Sequence, residues 1–226
     1  MAEHFTKETT DFLWGLALHN ERPWFDAHRA DYEAYYKEPM EMLARRTFLA
    51  LQEKYPDAGF QMKLCRIWRD ARRLFGRGPF KEHLWFSIKT DESLESGPMF
   101  WFEISAMEYS LGLGYYDAPA DLMAYFRRTV DEDPRPLAKL ARRLNGQDRF
   151  TLDGELYKRS KGDPGRLLAP WYDRKYLALS YESPADDALY DPAFADRLAA
   201  DFDWLMPYFR YFTALNAGWR RAQERN

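Results

Sequence analysis

The side chains best equipped for chemistry in this sequence are basic, and they are crowded. The stretch RIWRDARRLFGRGPFKEH, residues 66–83, holds six Lys and Arg against Asp70 and Glu82. Arg66, Arg69 and Lys81, with Arg72, Arg73 and Arg77 between them, offer planar forks and a compact ammonium. Such groups hold phosphate or carboxylate by charge-assisted hydrogen bonds. Gly76 and Gly78 let the backbone approach an anion closely. Lys158, Arg159 and Lys161 form a second basic loop. Residues 63–81 carry +6 and residues 158–175 carry +4 in a chain of net charge -3, so the remainder carries -13. Two positive segments set in an acidic body argue for a local anion site, and against coating nucleic acid non-specifically, which needs a positive surface.

Other chemistries have weaker support. Asp70 and Glu103 are the acid or base groups expected near the basic loop, and would serve if the site turned over a substrate. The four histidines, His4, His19, His28 and His83, lack the paired short spacings of a zinc site, and Cys65 has no cysteine partner, so no metal is expected. Cys65 falls in an apparent strand, where a small thiol usually packs. GLGYY and GRGP lack the further glycines or the Gly-Lys-Ser/Thr of a nucleotide loop. Gly112 and Gly114 alternate with bulky residues, as in a strand passing under Trp85 or Trp101, or a floor for a flat ligand. No motif specifies a cofactor or an oligomeric state.

The elements that must position these residues are readable from periodicity. With 46% apolar and 17% aromatic residues, the 226-residue chain can bury a large core. Thr6 is placed to cap a first helix ending near His19, and Pro23 opens a second helical stretch, with Pro39 a kink or a new start, that ends at Tyr55. MKLCRIWR, HLWFSIKT, MFWFEIS and EYSLGLGYY then alternate with period two, predicting an antiparallel meander. Leu84, Phe86 and Ile88 share one face with Phe100, Phe102 and Ile104, and Trp85, Ser87, Trp101 and Glu103 share the other. Two helices follow, entered through Pro119 and left at Asn145. Asp153 and Gly154 predict a hairpin turn, YLALSYES one more strand, and Asp191 caps a last helix containing Pro207.

In this order, HNERPWFDAHRADYE, RIWRDAR with PFKEH, GLGYYDAPADLMAYFRR and LYKRSKGDPGRLLAPWYDRKYLAL resemble the family called domain of unknown function 2461, over roughly residues 5–215. Asn20, Trp24, Phe25 and Tyr32 fall on its first motif. Arg66, Arg69, Asp70, Pro79 and Lys81 fall on the second, Gly114 on the third, and Lys158, Arg159, Lys161 and Gly162 on the fourth. Here the loop reads RRLFGRG where the family has a shorter, Lys-containing one, and the family's His-containing turn after KRSKG is missing. The resemblance implies one α+β domain with a largely antiparallel sheet and assigns no activity.

The expected fold is therefore a single α+β domain over residues 1–226: a largely antiparallel sheet with helices on one face and a long C-terminal helix. Its helical N-terminal part spans about 7–55, the sheet-centred part about 60–182 and the C-terminal helical part about 192–216. No run approaches the ~20 apolar residues of a membrane span, the N-terminus lacks signal-peptide character, and one cysteine suits a reducing compartment, so no membrane partner and a cytoplasmic location are expected. The expected ligand is a small phosphorylated or carboxylated molecule. It would be held by Arg66, Arg69 and Lys81 beside Trp85 and Trp101, with Lys158, Arg159 and Lys161 converging from the second loop. The rival readings are a nucleic-acid-associated module gripping phosphates through the two basic loops, and a protein-interaction domain meeting an acidic partner.

Overall fold

A computed structural model describes residues 4–90 and 97–225. The elements run α1 (Lys7–Leu18), α2 (Arg22–Ala27), α3 (Arg29–Asp31), a π-helical turn (Tyr32–Lys37), α4 (Glu38–Lys54), β1 (Phe60–Leu64), β2 (Leu84–Thr90), β3 (Met99–Ile104), β4 (Glu108–Gly114), α5 (Ala120–Glu132), α6 (Arg135–Asn145), β5 (Thr151–Asp153), α7 (Ala169–Tyr172), β6 (Ala178–Pro184), α8 (Asp187–Tyr190) and α9 (Phe194–Gln223). The strands form a six-stranded antiparallel sheet in the order β1-β2-β3-β4-β6-β5. The fold is α+β with a long C-terminal helix, as the periodicity predicts. Among the described residues no helix is long and apolar enough to cross a membrane.

The residues fall into two compact units. One comprises Met1–Ile88, Trp101–Leu111 and Glu182–Asp203, and the other Lys89–Phe100, Gly112–Tyr181 and Trp204–Asn226. Neither unit is a contiguous stretch of chain, because β2, β3, β4, β6 and α9 each pass from one into the other.

In the first unit, Leu84, Phe86, Phe102 and Ile104 are fully or almost fully buried. Phe102 stacks on Phe5 at 6.0 Å and meets Phe194 of α9 edge-on at 5.6 Å. Burying a side chain of this size contributes about 2 kcal/mol. The alternate face carries Trp85, Trp101 and Glu103, all half-buried, and the buried Ser87. In the second unit Phe100 stacks on Phe209 of α9 at 4.8 Å, and the buried Tyr115 hydroxyl donates to the Phe212 carbonyl at 2.9 Å.

Local structure bears out one expectation and departs from two. The helix between Pro23 and Tyr55 starts anew at Pro39, which opens α4 behind the π-helical turn. Proline has no amide hydrogen for the carbonyl four residues back, that of Tyr35. The buried Thr9 hydroxyl supplies the hydrogen bond instead, at 2.5 Å. Asp153 and Gly154 do not close a hairpin: β5 pairs with β6, Thr151 opposite Ser180 and Asp153 opposite Ala178. Gly154 has φ +124°, and a Cβ there would sit 2.2 Å from the Tyr176 carbonyl oxygen. Gly114 lies against the neighbouring strand. A Cβ on it would lie 2.5 Å from Ala178 Cα and from the Leu177 carbonyl oxygen, so the neighbouring strand occupies the space a flat ligand would need.

Candidate anion-binding site

The first basic loop is a short two-armed ladder with a turn at its tip. Trp68 pairs with Phe80 in antiparallel fashion, the Arg69 amide donates to the Pro79 carbonyl at 2.8 Å, and the Lys81 amide to the Ile67 carbonyl at 2.8 Å. At the tip Asp70 accepts from the Arg72 amide at 3.0 Å and from its guanidinium at 2.7 and 3.0 Å, closing an Asx-type turn. Phe75 and Gly76 follow with φ +47° and +81°. The Arg73 side chain lies outside the described residues.

The ladder is clasped from the helical side. Asn20, just beyond α1, donates through Nδ2 to the Phe80 carbonyl at 3.0 Å and to Glu82 Oε1 at 2.8 Å, and accepts the Phe80 amide at 2.9 Å. Gly78 lies so near that a Cβ there would be 2.2 Å from Asn20 Oδ1. Phe25 of α2 stacks on Phe80 at 4.3 Å and meets Trp68 edge-on at 5.8 Å. The first two family-like motifs thus form one packed unit.

This clasp sorts the arginines. Arg69, its side chain only 10% exposed, donates through Nε to the Phe80 carbonyl at 2.6 Å and faces Glu82 at 3.5 Å, so it acts as part of the framework. Arg72 is neutralised by Asp70. Arg66, by contrast, is exposed and its guanidinium forms no ion pair among the described residues. Beside it Lys81 donates through Nζ to the Arg66 carbonyl at 2.5 Å and to Cys65 Sγ at 2.9 Å, while the Cys65 amide donates to the Trp85 carbonyl at 2.8 Å. An ammonium has three hydrogens to donate, so one remains for a further acceptor.

Of the acid or base candidates, Asp70 is engaged by the Arg72 fork. Glu103 is hydrogen-bonded to His83 Nδ1, which lifts the imidazole pKa above its ordinary value against the opposing effects of partial burial and Arg69. His83 was legible in principle, since it and Glu103 both lie on the Trp85 face by strand alternation. Behind them the Tyr32 phenol is pushed up to about 12, chiefly by burial and then by Glu33, Glu41 and Cys65. Tyr36 is raised well above its usual value by complete burial, then by Tyr32, Cys65 and Glu103. Both phenols therefore stay protonated near neutral pH.

The fourth motif belongs to the second unit. Lys158, Arg159 and Lys161 are exposed. Their loop is pinned by Asp173, which accepts from the Lys161 amide at 2.7 Å and the Ser160 hydroxyl at 3.2 Å, and Lys161 Nζ lies 4.3 Å from the centre of the Tyr157 ring. A Cβ on Gly162 would lie 2.9 Å from the Tyr172 ring, which accounts for a glycine at this point of the motif.

No curated protein matches the chain. The family described as "Conserved hypothetical protein (DUF2461)" matches residues 8–211, a span containing the Asn20 clasp, the Arg66 and Lys81 pair and the Asp173-pinned loop. The chain belongs to the DUF2461 family of conserved hypothetical proteins.

Proposed function

We propose that the first unit binds a small phosphorylated or carboxylated molecule at Arg66 and Lys81, with Trp85 and Trp101 flanking it. The observation that carries this reading is the contrast between neighbours. Arg69 and Arg72 are committed to Glu82 and Asp70, whereas Arg66 presents an exposed guanidinium and Lys81, whose ammonium is held at the Arg66 carbonyl and Cys65, has one hydrogen still to give. A fork and a point charge on the same loop suit two oxygens of one anion. Arg69 belongs to this site as its positioning residue, because it fixes the ladder from which Lys81 projects. His83 and Glu103 are the proton-carrying pair of the same unit, and Asp70 orients the loop tip. Lys158, Arg159 and Lys161 offer an exposed cluster of the same chemistry on the second unit.

The strands and the helix that pass between the two units support reading the chain as one domain. A single thiol, held by Lys81, suits a reducing compartment, and we place the protein in the cytoplasm. The exposed basic loops also support the nucleic-acid reading, and salt separates the two. A surface gripping several phosphates loses affinity steeply as salt rises, while one or two contacts respond weakly. A thermal-shift screen of nucleotides, sugar phosphates, organic acids and short oligonucleotides tests the proposal, since a ligand binding only the native state raises the midpoint. A small anion is expected to raise it in the wild type and not in Arg66→Ala. If no small anion does so, the proposal fails.

A further inference from the structure

The second unit holds another cationic constellation, one that no motif of the sequence announces. A groove of about 400 Å³ is lined by Tyr125 and Arg128 of α5, Gly218, Arg221 and Ala222 of α9, and Arg225 just past its end. Three guanidiniums line it and no carboxylate does. Arg128, Arg221 and Arg225 are all exposed and form no ion pair among the described residues. The nearest acids in sequence, Asp131 and Glu132 one turn beyond Arg128 and Glu224 beside Arg225, do not line the groove, and Asp131 accepts the Tyr172 hydroxyl at 2.9 and 3.0 Å. Asp121, the carboxylate that ties the two helices together, is taken by Trp219 Nε1 at 3.2 Å and Gln223 Nε2 at 2.6 Å.

The helix dipole explains part of this arrangement only. Arg221 and Arg225 lie at the C-terminal end of α9, where cations are favoured. Like charges gathered there nevertheless repel one another, and Arg128 from another helix adds a third. The groove is also shaped. Arg128 Cζ stands 5.1 Å from the centre of the Tyr125 ring, a cation–π contact that orients its fork. The Tyr125 hydroxyl fills the space that a side chain at residue 218 would take: a Cβ there would be 2.5 Å from Tyr125 Oη. Gly218 therefore lets the two helices bring their arginines to one opening.

From this we infer a second binding site, distinct from that of Arg66, for a ligand carrying two or more adjacent phosphate groups. Each guanidinium can hold two oxygens, so three forks exceed what one carboxylate can satisfy, whereas an oligophosphate supplies enough oxygens and charge. The groove volume lies in the range of small-molecule sites.

The test is calorimetric titration of the full chain with inorganic tripolyphosphate, with orthophosphate and anionic phospholipid vesicles as separate arms. The expected result is a saturable tripolyphosphate site that persists in Arg66→Ala, much weaker binding of orthophosphate there, and a loss of about tenfold or more in each of Arg128→Ala and Arg221→Ala, the cost of one charged hydrogen bond or more. Arg66→Ala should leave this affinity unchanged, which separates failure here from failure at the first site. Exposed arginines replaced on helix surfaces should leave the fold intact, and unchanged thermal unfolding of the variants checks that they do. Absence of saturable binding, unaltered binding in the Arg128→Ala/Arg221→Ala double variant, or binding to vesicles but not to tripolyphosphate would each overturn the inference.

Discussion

Asn20 pairs with Phe80 as a neighbouring strand would, accepting its amide at 2.9 Å and donating to its carbonyl at 3.0 Å. The same amide nitrogen reaches Glu82 Oε1 at 2.8 Å, so the side chain joins the end of α1 to the ladder that carries Lys81. Asn20→Asp would turn a donor into an acceptor facing two acceptors. It is expected to lower stability by about 2–3 kcal/mol, read as a fall in the urea midpoint, and Glu82→Gln added to it should recover part of the loss.

The Thr9 hydroxyl stands in for the amide hydrogen that Pro39 lacks. Thr9→Val keeps the shape and leaves the Tyr35 carbonyl without its donor, an expected loss of about 1–3 kcal/mol. Pro39→Ala restores a backbone donor, so a double-mutant cycle should show the Thr9 substitution costing less in that background. Equal cost in both backgrounds would refute the substitution of one donor for the other.

Gly114 is in near-contact with the backbone of β6. Gly114→Ala should therefore force β4 and β6 apart and cost roughly 1–3 kcal/mol, the usual penalty of overpacking. Chemical denaturation measures it. An unchanged midpoint would mean that the strands yield without cost.

The His83 imidazole has its pKa raised by the hydrogen bond to Glu103. Because the folded state holds this proton more tightly than the unfolded chain, the pair's contribution to stability is fully present below the ordinary value of 6.5 and is lost as pH rises through the folded value. The difference in denaturation midpoint between wild type and His83→Gln should shrink as pH rises. A difference that grows with pH would contradict the assignment.

Much of the fold was legible in the sequence because side-chain alternation is a local property. Phe86, Phe102 and Ile104 declare their buried face within a few residues, and so do the helices opened by Pro119 and capped by Asp191. What escaped depends on partners far along the chain. Pro39 signals a break, but nothing near it identifies Thr9 as the replacement donor. Gly154 carries a turn signature, yet its conformation serves the approach of Tyr176. The same holds at the site: Arg66, Arg69 and Arg72 look equivalent in the sequence, and only the positions of Glu82, Phe80 and Asp70 separate framework from free charge. Arg128 and Arg221 each sit in an Arg pair on a separate helix, a pattern that ordinarily marks a solvated surface. Their meeting around Tyr125 is a property of the packing of α5 on α9.

The central claim is that Arg66 is the free anion-binding guanidinium of the first basic loop and that Arg72 is not. The most direct measurement is calorimetric titration of the most stabilising small anion into wild type, Arg66→Ala and Arg72→Ala. Arg66→Ala should weaken binding about tenfold or more, and Arg72→Ala, whose charge is spent on Asp70, should change it by no more than about twofold. Binding by Arg66→Ala as tight as by wild type would contradict the account.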